Sequence, residues 1–448
     1  MKKILILGAG RSSFYLISYL SGNAVKYGWE IIIGDKDQKN LRGLEGMERV
    51  RFISLDIVNG EELRGRIESA EVVISMLPAF MHSGVAKLCL ELGRHLLTAS
   101  YVSEEMGLMD GEVRKKGLLF LNECGLDPGI DHASAMAIID DVKSLGGVVS
   151  GFYSYCGGLV GTESDDNPWK YKFSWNPRNV VLAGQATAHY LERGKVKYIP
   201  YNRIFLETRE LEIEGYGKFE AYPNRDSLSY RVPYQIGSVK NLLRGTLRRT
   251  GYGRAWNIFV RLGWTDDSFV IENTFGILYS DLLEAFLPVG SGSLEDRVLR
   301  FMGGDAGKGE IEKLKWLGVL DGEVIRLERG SPAFLLQDLL ERKWVLGSED
   351  RDLILMQHIL EIEGGGEKNI PNKIISTLAL EGEDARHTAM AKTVGLPLAI
   401  VAKNLMLGEI KLRGVRIPIE KEIYIPLLEE LKTCGIVFKE QKFYDDKK

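Results

Sequence analysis

The stretch LILGAGRSS at residues 5–13 sets Gly8 and Gly10 directly after an apolar run and just before a helical one. Glycines at that spacing suit the binding of a dinucleotide. The first permits a tight turn, and the second lets a pyrophosphate approach the backbone at a helix N-terminus. Gly8, Gly10, Arg11, Ser12 and Ser13 are therefore the cofactor-loop candidates, with Ser13 where GxGxxG would carry its third glycine. A merely structural glycine turn is the plainer alternative. Asp35 closes the next apolar run, 25 positions after Gly10. A carboxylate there accepts from ribose hydroxyls and repels a 2′-phosphate, which favours NAD over NADP. The adjacent Lys36 works against that preference, and a solvated turn acid is the bland reading. Asp56, after the third run, is a candidate neighbour of the adenine, and Ser75, Leu77 and Pro78 in SMLPAF fall where a nicotinamide would lie.

A second group of polar residues sits in loops. Ser100 and Tyr101 in ASYVS end a short apolar run, the position at which open α/β sheets form ligand crevices. Asp127 in GLDPGIDH precedes a proline and is flanked by glycines, which suits a rigid loop better than a helix or strand interior. Asp131 and His132 follow, the latter either a base or an ordinary residue at a helix start. Cys156 lies in SYCGGL, a thiol between a tyrosine and two glycines, followed by the irregular run DDNPWKYKFSW.

The elements that must position these groups are legible as patterns. Over the first ~125 residues apolar strands alternate with amphipathic helices, the signature of a parallel, doubly wound sheet. After residue 126 aromatic strands such as GVVSGFYSYCGG, KVKYIP and GKFEAYPN predict a mixed or antiparallel sheet. From 236 to about 350 the helical period dominates, as in SVKNLLRGTLRR, RAWNIFVRLG and PAFLLQDLLERKW. LILMQHILEIEG and NKIISTLALEG then read as a strand pair, and HTAMAKTVGLPLAIVAKNLMLG as a long helix.

The totals exclude several classes. With 448 residues, two or three domains are expected. A net charge of −4 argues against nucleic acid as a partner. No apolar run reaches the ~20 residues that span a bilayer, so no membrane partner is expected. The four cysteines, Cys89, Cys124, Cys156 and Cys434, form no CxxC pair, which predicts neither a metal cluster nor a disulfide framework, and points to a cytoplasmic setting.

SMLPAFMHSGVAKLCLELGRHLLTASYVSEEM, NECGLDPGIDH, SYCGGL, DNPWKYKFSW, AYPNRDS and RGTLR occur in that order, with MAKTVGLPLAI near the end. Together they resemble the saccharopine reductase (glutamate-forming saccharopine dehydrogenase) family along essentially the whole chain. The resemblance implies an α/β protein with an N-terminal Rossmann-like parallel sheet, a second mixed α/β domain for substrate and dimerisation, and a mainly helical insertion. The implied boundaries are 1–126 plus about 386–448, 127–235 plus about 352–385, and 236–351.

It also implies NAD- or NADP-dependent interconversion of saccharopine with L-glutamate and 2-aminoadipate 6-semialdehyde in lysine metabolism, by a homodimer. A tricarboxylate substrate needs fixed guanidinium groups, because arginine grips carboxylates bidentately. Arg225, and Arg244 with Gly245 and Thr246, stand in the matching motifs, with surface ion pairing as the alternative. Asp127 is a candidate to anchor the ammonium or position a proton, beside Ser100. Cys156 and Gly157 match the family's substrate-cleft segment, and Trp175 is a candidate cofactor neighbour in a cleft-shaping loop. Tyr101, Asp127 and Cys156 are the proton-transfer candidates, with an inert buried thiol as the alternative for Cys156. The runner-up activity is reduction of another carboxylated secondary amine, such as the carboxynorspermidine-forming reaction.

Overall fold

Short runs rich in Ile, Leu and Val become the inner strands of a parallel sheet, buried from both sides, with the partly exposed β3 at its edge. The strands are β1 (Lys3–Leu7), β2 (Glu30–Asp35), β3 (Val50–Ser54), β4 (Val72–Ser75), β5 (His95–Thr98) and β6 (Leu119–Leu121). They align in the order β3-β2-β1-β4-β5-β6, and a strand at Gly414–Arg416 extends the sheet beyond β6. Every pairing in this sheet is parallel. In the computed structural model, which describes residues 1–37, 46–364 and 370–444, the sheet belongs to a unit built from Met1–Gly147 and Gly382–Lys439. Strand order reverses between β1 and β4, so the crevice at the carboxyl ends of those two strands is the ligand position of this topology.

Helices Phe14–Tyr27 and Ala389–Leu407 pack on one face of the sheet, and helices Gly60–Glu68 and His82–Leu92 on the other. The long helix Ala389–Leu407 is apolar enough to cross a membrane by length and composition, yet most of it is buried within the protein. Its Gly395 carries that packing. A Cβ there would lie 2.9 Å from Leu16 N and 3.1 Å from Ser12 O, so the two helices close only over glycine. Helix Ile130–Ser144 also stays in this unit, with Tyr424 Oη donating to Asp140 Oδ2 at 2.6 Å. This packing carries the unit's first segment to Gly147, past the expected boundary at 126.

The second unit comprises Val148–Glu381 together with the residues from Glu440 on. Its strands are β7 (Val148–Val160), β8 (Ala188–Glu192), β9 (Lys195–Ile199), β10 (Arg209–Ile213), β11 (Gly217–Pro223), β12 (Asn241–Arg249), the two-residue β13 (Ile271–Glu272) and β14 (Arg329–Gly330), β15 (Asp352–Glu363) and β16 (Lys373–Glu381). The main sheet runs β10-β11-β12-β7-β15-β16 and ends on a strand at Phe438–Phe443, with β8 and β9 branching from β12. It is mixed, because β12 runs parallel to β7 while β15 runs antiparallel to it.

Two expectations fail here for physical reasons. SVKNLLRGTLRR is a strand, β12, rather than a helix. Gly245 weakens a helix interior, and burial on both sides of a central strand hides the two-residue alternation that would have identified it. The helical stretch 236–351 is also not a separate unit. Its helices share one apolar cluster with Leu243, Leu247, Leu353 and Leu355 of the sheet. DDNPWKYKFSW belongs to the same cluster. Trp169, Tyr171 and Phe173 are buried and each makes an edge contact with the ring of Trp344. Burying a side chain of this size stabilises by about 1.5–3 kcal/mol, so packing, rather than cleft shaping, accounts for these three aromatics.

Candidate active site

The first group of candidates is the turn between β1 and helix Phe14–Tyr27. Gly8 has a φ of +95° and its missing side chain faces the backbone of Met76, where a Cβ would come within 3.3 Å of both C and O. Gly10 is exposed, with no atom within 4 Å of the place a Cβ would take. Ala9 N–H donates to Asp35 Oδ2 at 2.7 Å, which ties the turn to the end of β2. Ser13 is buried and closes the turn from inside, its Oγ and its N–H both donating to Gly10 O at 2.7 and 3.0 Å. Arg11 is exposed and Ser12 half-buried at the outer rim. A tight glycine turn, open space over Gly10 and a following helix N-terminus fit a dinucleotide pyrophosphate.

The neighbouring positions fall where the topology requires. Asp35 also accepts from Asp37 N–H at 2.8 Å, so each of its oxygens already serves a backbone donor. Asp56 accepts from Val58 N–H at 3.1 Å and faces Lys36 Nζ at 3.2 Å, and these contacts hold its carboxyl below the usual value. Leu77 comes within 3.6 Å of the vacant Cβ position of Gly8, and Pro78 starts the short turn Ala79–Met81.

Ser75 and Ser100 are joined by a residue that sequence reasoning passed over. His82 Nδ1 lies 2.9 Å from Ser75 Oγ, and its Nε2 lies 2.8 Å from Ser100 Oγ and 3.1 Å from Thr98 Oγ1. Burial lowers the His82 pKa to about 4, so the ring is neutral at physiological pH. The available signal was its place at the start of the helix following β4, seven residues beyond Ser75.

Tyr101 is half-buried, in a segment that Glu123 holds. Glu123 Oε1 accepts from Val102 N–H at 3.1 Å, and Oε2 lies 2.7 Å from His132 Nε2. His132 is therefore committed to a buried structural pair, which leaves the base reading without a role for it. Asp127 is half-buried and joined to Pro128 by a cis peptide, at the head of a turn in which Gly129 N–H donates to Asp131 Oδ1 at 2.5 Å. Gly129, with φ +148°, is irreplaceable there, since a Cβ would lie 2.0 Å from Gly125 O.

In the second unit the strand register gathers the other candidates. Thr246 is the partner of Cys156 across β12 and β7, and Arg244 is the partner of Ser154. Residues so paired project from the same face of a sheet, so Arg244, Thr246 and Cys156 share one face. Cys156 is buried. Arg244 is also buried, its Nη1 donating to Tyr230 Oη at 2.5 Å and its guanidinium 4.1 Å from that ring's centre. Arg225 is exposed, at φ +49°, in a loop whose Asn224 N–H donates to Arg244 O at 2.9 Å. The two glycines answer to packing. A Cβ on Gly157 would lie 2.8 Å from Leu247 Cβ, and one on Gly245 2.9 Å from the Tyr155 ring. Trp175 packs against the apolar cluster of its unit, with Nε1 donating to Tyr171 Oη at 3.2 Å. Arg248, not singled out beforehand, is a buried guanidinium 4.8, 5.9 and 5.3 Å from the ring centres of Tyr171, Tyr222 and Tyr252.

Comparison with known proteins matches two family models to the chain. Residues 4–121 match the saccharopine dehydrogenase NADP binding domain, and residues 125–436 the saccharopine dehydrogenase C-terminal domain. The mitochondrial alpha-aminoadipic semialdehyde synthase of Mus musculus is 38% identical over 98% of the chain, and the chain spans about half of that longer relative, 48% of its length. The NADP(+), L-glutamate-forming saccharopine dehydrogenase of Pyricularia oryzae is 33% identical over 98% of the chain and 99% of its own length. Among solved structures, the apo L-Glu-forming saccharopine dehydrogenase of Saccharomyces cerevisiae superposes with a TM-score of 0.86 at 30% identity, covering 98% of this chain and 99% of that one.

Proposed function

The chain belongs to the saccharopine dehydrogenase family, and from that premise we propose that it interconverts saccharopine with L-glutamate and 2-aminoadipate 6-semialdehyde. In the oxidative direction a C–H bond beside the secondary amine gives up a hydride and the nitrogen gives up a proton. Water adds across the resulting C=N bond, and the C–N bond then breaks to release glutamate and the aldehyde. The bound nicotinamide dinucleotide supplies the hydride-accepting chemistry.

The protein's own groups bind and orient. The turn Gly8–Ser13 holds the pyrophosphate, and Ser75, Leu77 and Pro78 flank the nicotinamide. Arg225 and Arg244 grip carboxylates, with Thr246 and Gly245 beside them, and Ser100, Tyr101 and Asp127 serve the amine end. Cys156 lines the site and exchanges protons at most, since no covalent intermediate is needed. The observation that carries this reading is the register placing Arg244, Thr246 and Cys156 on one sheet face, in a chain whose other unit carries the Gly8–Gly10 turn before a helix N-terminus.

For the cofactor, NADP is the preferred reading. The matching family model is that of an NADP binding domain, and the fungal relative is named for NADP(+). The preference for NAD inferred from Asp35 gains no support, and both oxygens of that carboxylate already accept backbone N–H groups. Homodimerisation belongs to the same proposal and is checked by sedimentation.

The deciding experiment follows absorbance of the reduced nicotinamide with saccharopine plus NADP or NAD in separate cuvettes, and identifies glutamate and the semialdehyde among the products. Turnover with NADP supports the proposal. Folded protein that binds the dinucleotide yet ignores saccharopine rejects it in favour of another carboxylated amine.

A further inference from the structure

The contact that links Ser75 to Ser100 carries an assignment beyond the binding roles above. Ser75 and Thr98 are both 1% exposed, whereas Ser100 is only partly buried, so Ser100 is the more open end of the chain Ser75–His82–Ser100. A neutral imidazole donates at one nitrogen and accepts at the other. When Nδ1 accepts from Ser75 Oγ–H, Nε2–H points at Ser100 and Thr98, and the Ser100 proton is available to a ligand. In the other tautomer Nδ1–H donates to Ser75, Nε2 accepts a hydrogen bond from Ser100 Oγ–H, and Ser100 presents only lone pairs to a ligand. Thr98 Oγ1 also accepts from Ser100 N–H at 3.2 Å, which fixes the backbone on which Ser100 turns.

We propose that His82 is a positioning residue that sets, through its tautomer, whether Ser100 donates or accepts toward the bound substrate. The assignment rests on the proposed function, in which the substrate nitrogen passes from N–H-bearing amine to imine to carbinolamine. A hydroxyl beside it serves the amine as an acceptor and the imine as a donor, and the His82 ring is uncharged in either tautomer. The low pKa of His82 keeps it so.

Three variants and one spectrum test it. His82→Phe keeps a ring but no polar atom, and should lower kcat about 10–100-fold while the saccharopine KM stays within about threefold. His82→Gln restores one donor and one acceptor and should recover part of that loss. Ser75→Ala, which removes the Nδ1 partner of His82, should lower kcat several-fold, with NADP titration separating any loss of cofactor binding. In ¹⁵N NMR of the whole protein, with the His82 signals identified by their loss in His82→Gln, one protonated and one bare ring nitrogen are expected from pH 8 to 5. Adding NADP with glutamate should change their exchange ratio. Parent-level kcat in folded His82→Phe, or a tautomer ratio unmoved by both ligands, overturns the assignment. A parent protein that leaves saccharopine untouched but shows the ligand-dependent tautomer change refutes the substrate reading and leaves His82 as the device setting Ser100.

Discussion

Glu123 Oε2 and His132 Nε2 lie 2.7 Å apart in a buried contact, and the other oxygen of Glu123 holds Val102 N–H. One carboxylate thus ties the start of helix Ile130–Ser144 to the loop that carries Ser100 and Tyr101. Removing it takes a partner from a buried imidazole and from a backbone donor together. Glu123→Ala should therefore lose about 2–4 kcal/mol of stability, read by urea unfolding. Glu123→Gln, which keeps an acceptor for Val102 N–H, should lose less than half as much. An alanine variant as stable as the parent would show that water replaces the carboxylate.

Gly8, Gly10 and Gly395 make separable predictions. Gly10→Ala meets no protein atom within 4 Å, so its stability should change by less than about 0.5 kcal/mol. A methyl group in the space above the turn should nevertheless weaken dinucleotide binding at least about tenfold, roughly 1.4 kcal/mol. Gly8→Ala, at φ +95° against Met76, should lose both stability and binding. Gly395→Ala pushes on Leu16 N and Ser12 O and should lower the Tm first, with binding following. Calorimetric melting and nucleotide titration on the same samples separate the three.

What could be read in the chain beforehand was local. Gly8, Gly10 and Asp35 were legible because a turn and a strand end are encoded within a few residues, and the whole strand–helix alternation of the first unit follows from such short patterns. The His82 bridge was not, since it joins residues 7, 16 and 18 positions away on separate elements. β12 was misread because burial on both sides erased the two-residue period by which strands announce themselves. The family resemblance implies a cleft at the run 165–175, yet Trp169 and Phe173 fill the core from a backbone that is neither helix nor strand. Its aromatics recur at every second residue without forming a strand, so the alternation reports packing into the core and not the backbone that carries it.

Arg225 and Arg244, both nominated for carboxylate binding, should part company on mutation. Arg225 is exposed, so Arg225→Ala should leave the Tm within about 2 °C and raise the saccharopine KM about tenfold or more. Arg244 is buried against Tyr230, so Arg244→Ala should raise KM and also lose about 2 kcal/mol of stability. Arg244→Lys keeps the charge but not the flat face over the ring, and should recover stability only in part. An Arg244→Ala protein with unchanged KM would reduce that arginine to a packing element.

Acidification should expose the buried histidines. His82 and His95 are each lowered to about 4, His82 by burial and His95 by burial with Arg413 nearby. Between that value and the ordinary histidine pKa of about 6.5, the unfolded chain binds protons that the folded one refuses, so stability falls as pH drops through this window. From pH 7 to pH 5 each should contribute a loss of about 1–2 kcal/mol. The carboxyls of Asp56, Asp110 and Glu323 are lowered, whereas burial raises those of Glu220 and Asp165, whose protonation opposes the histidine effect as pH falls. Urea unfolding at half-unit steps in pH should show the slope, and His82→Gln should flatten it. A slope unchanged in His82→Gln would mean that the ring takes up its proton as readily in the folded protein as in the unfolded one.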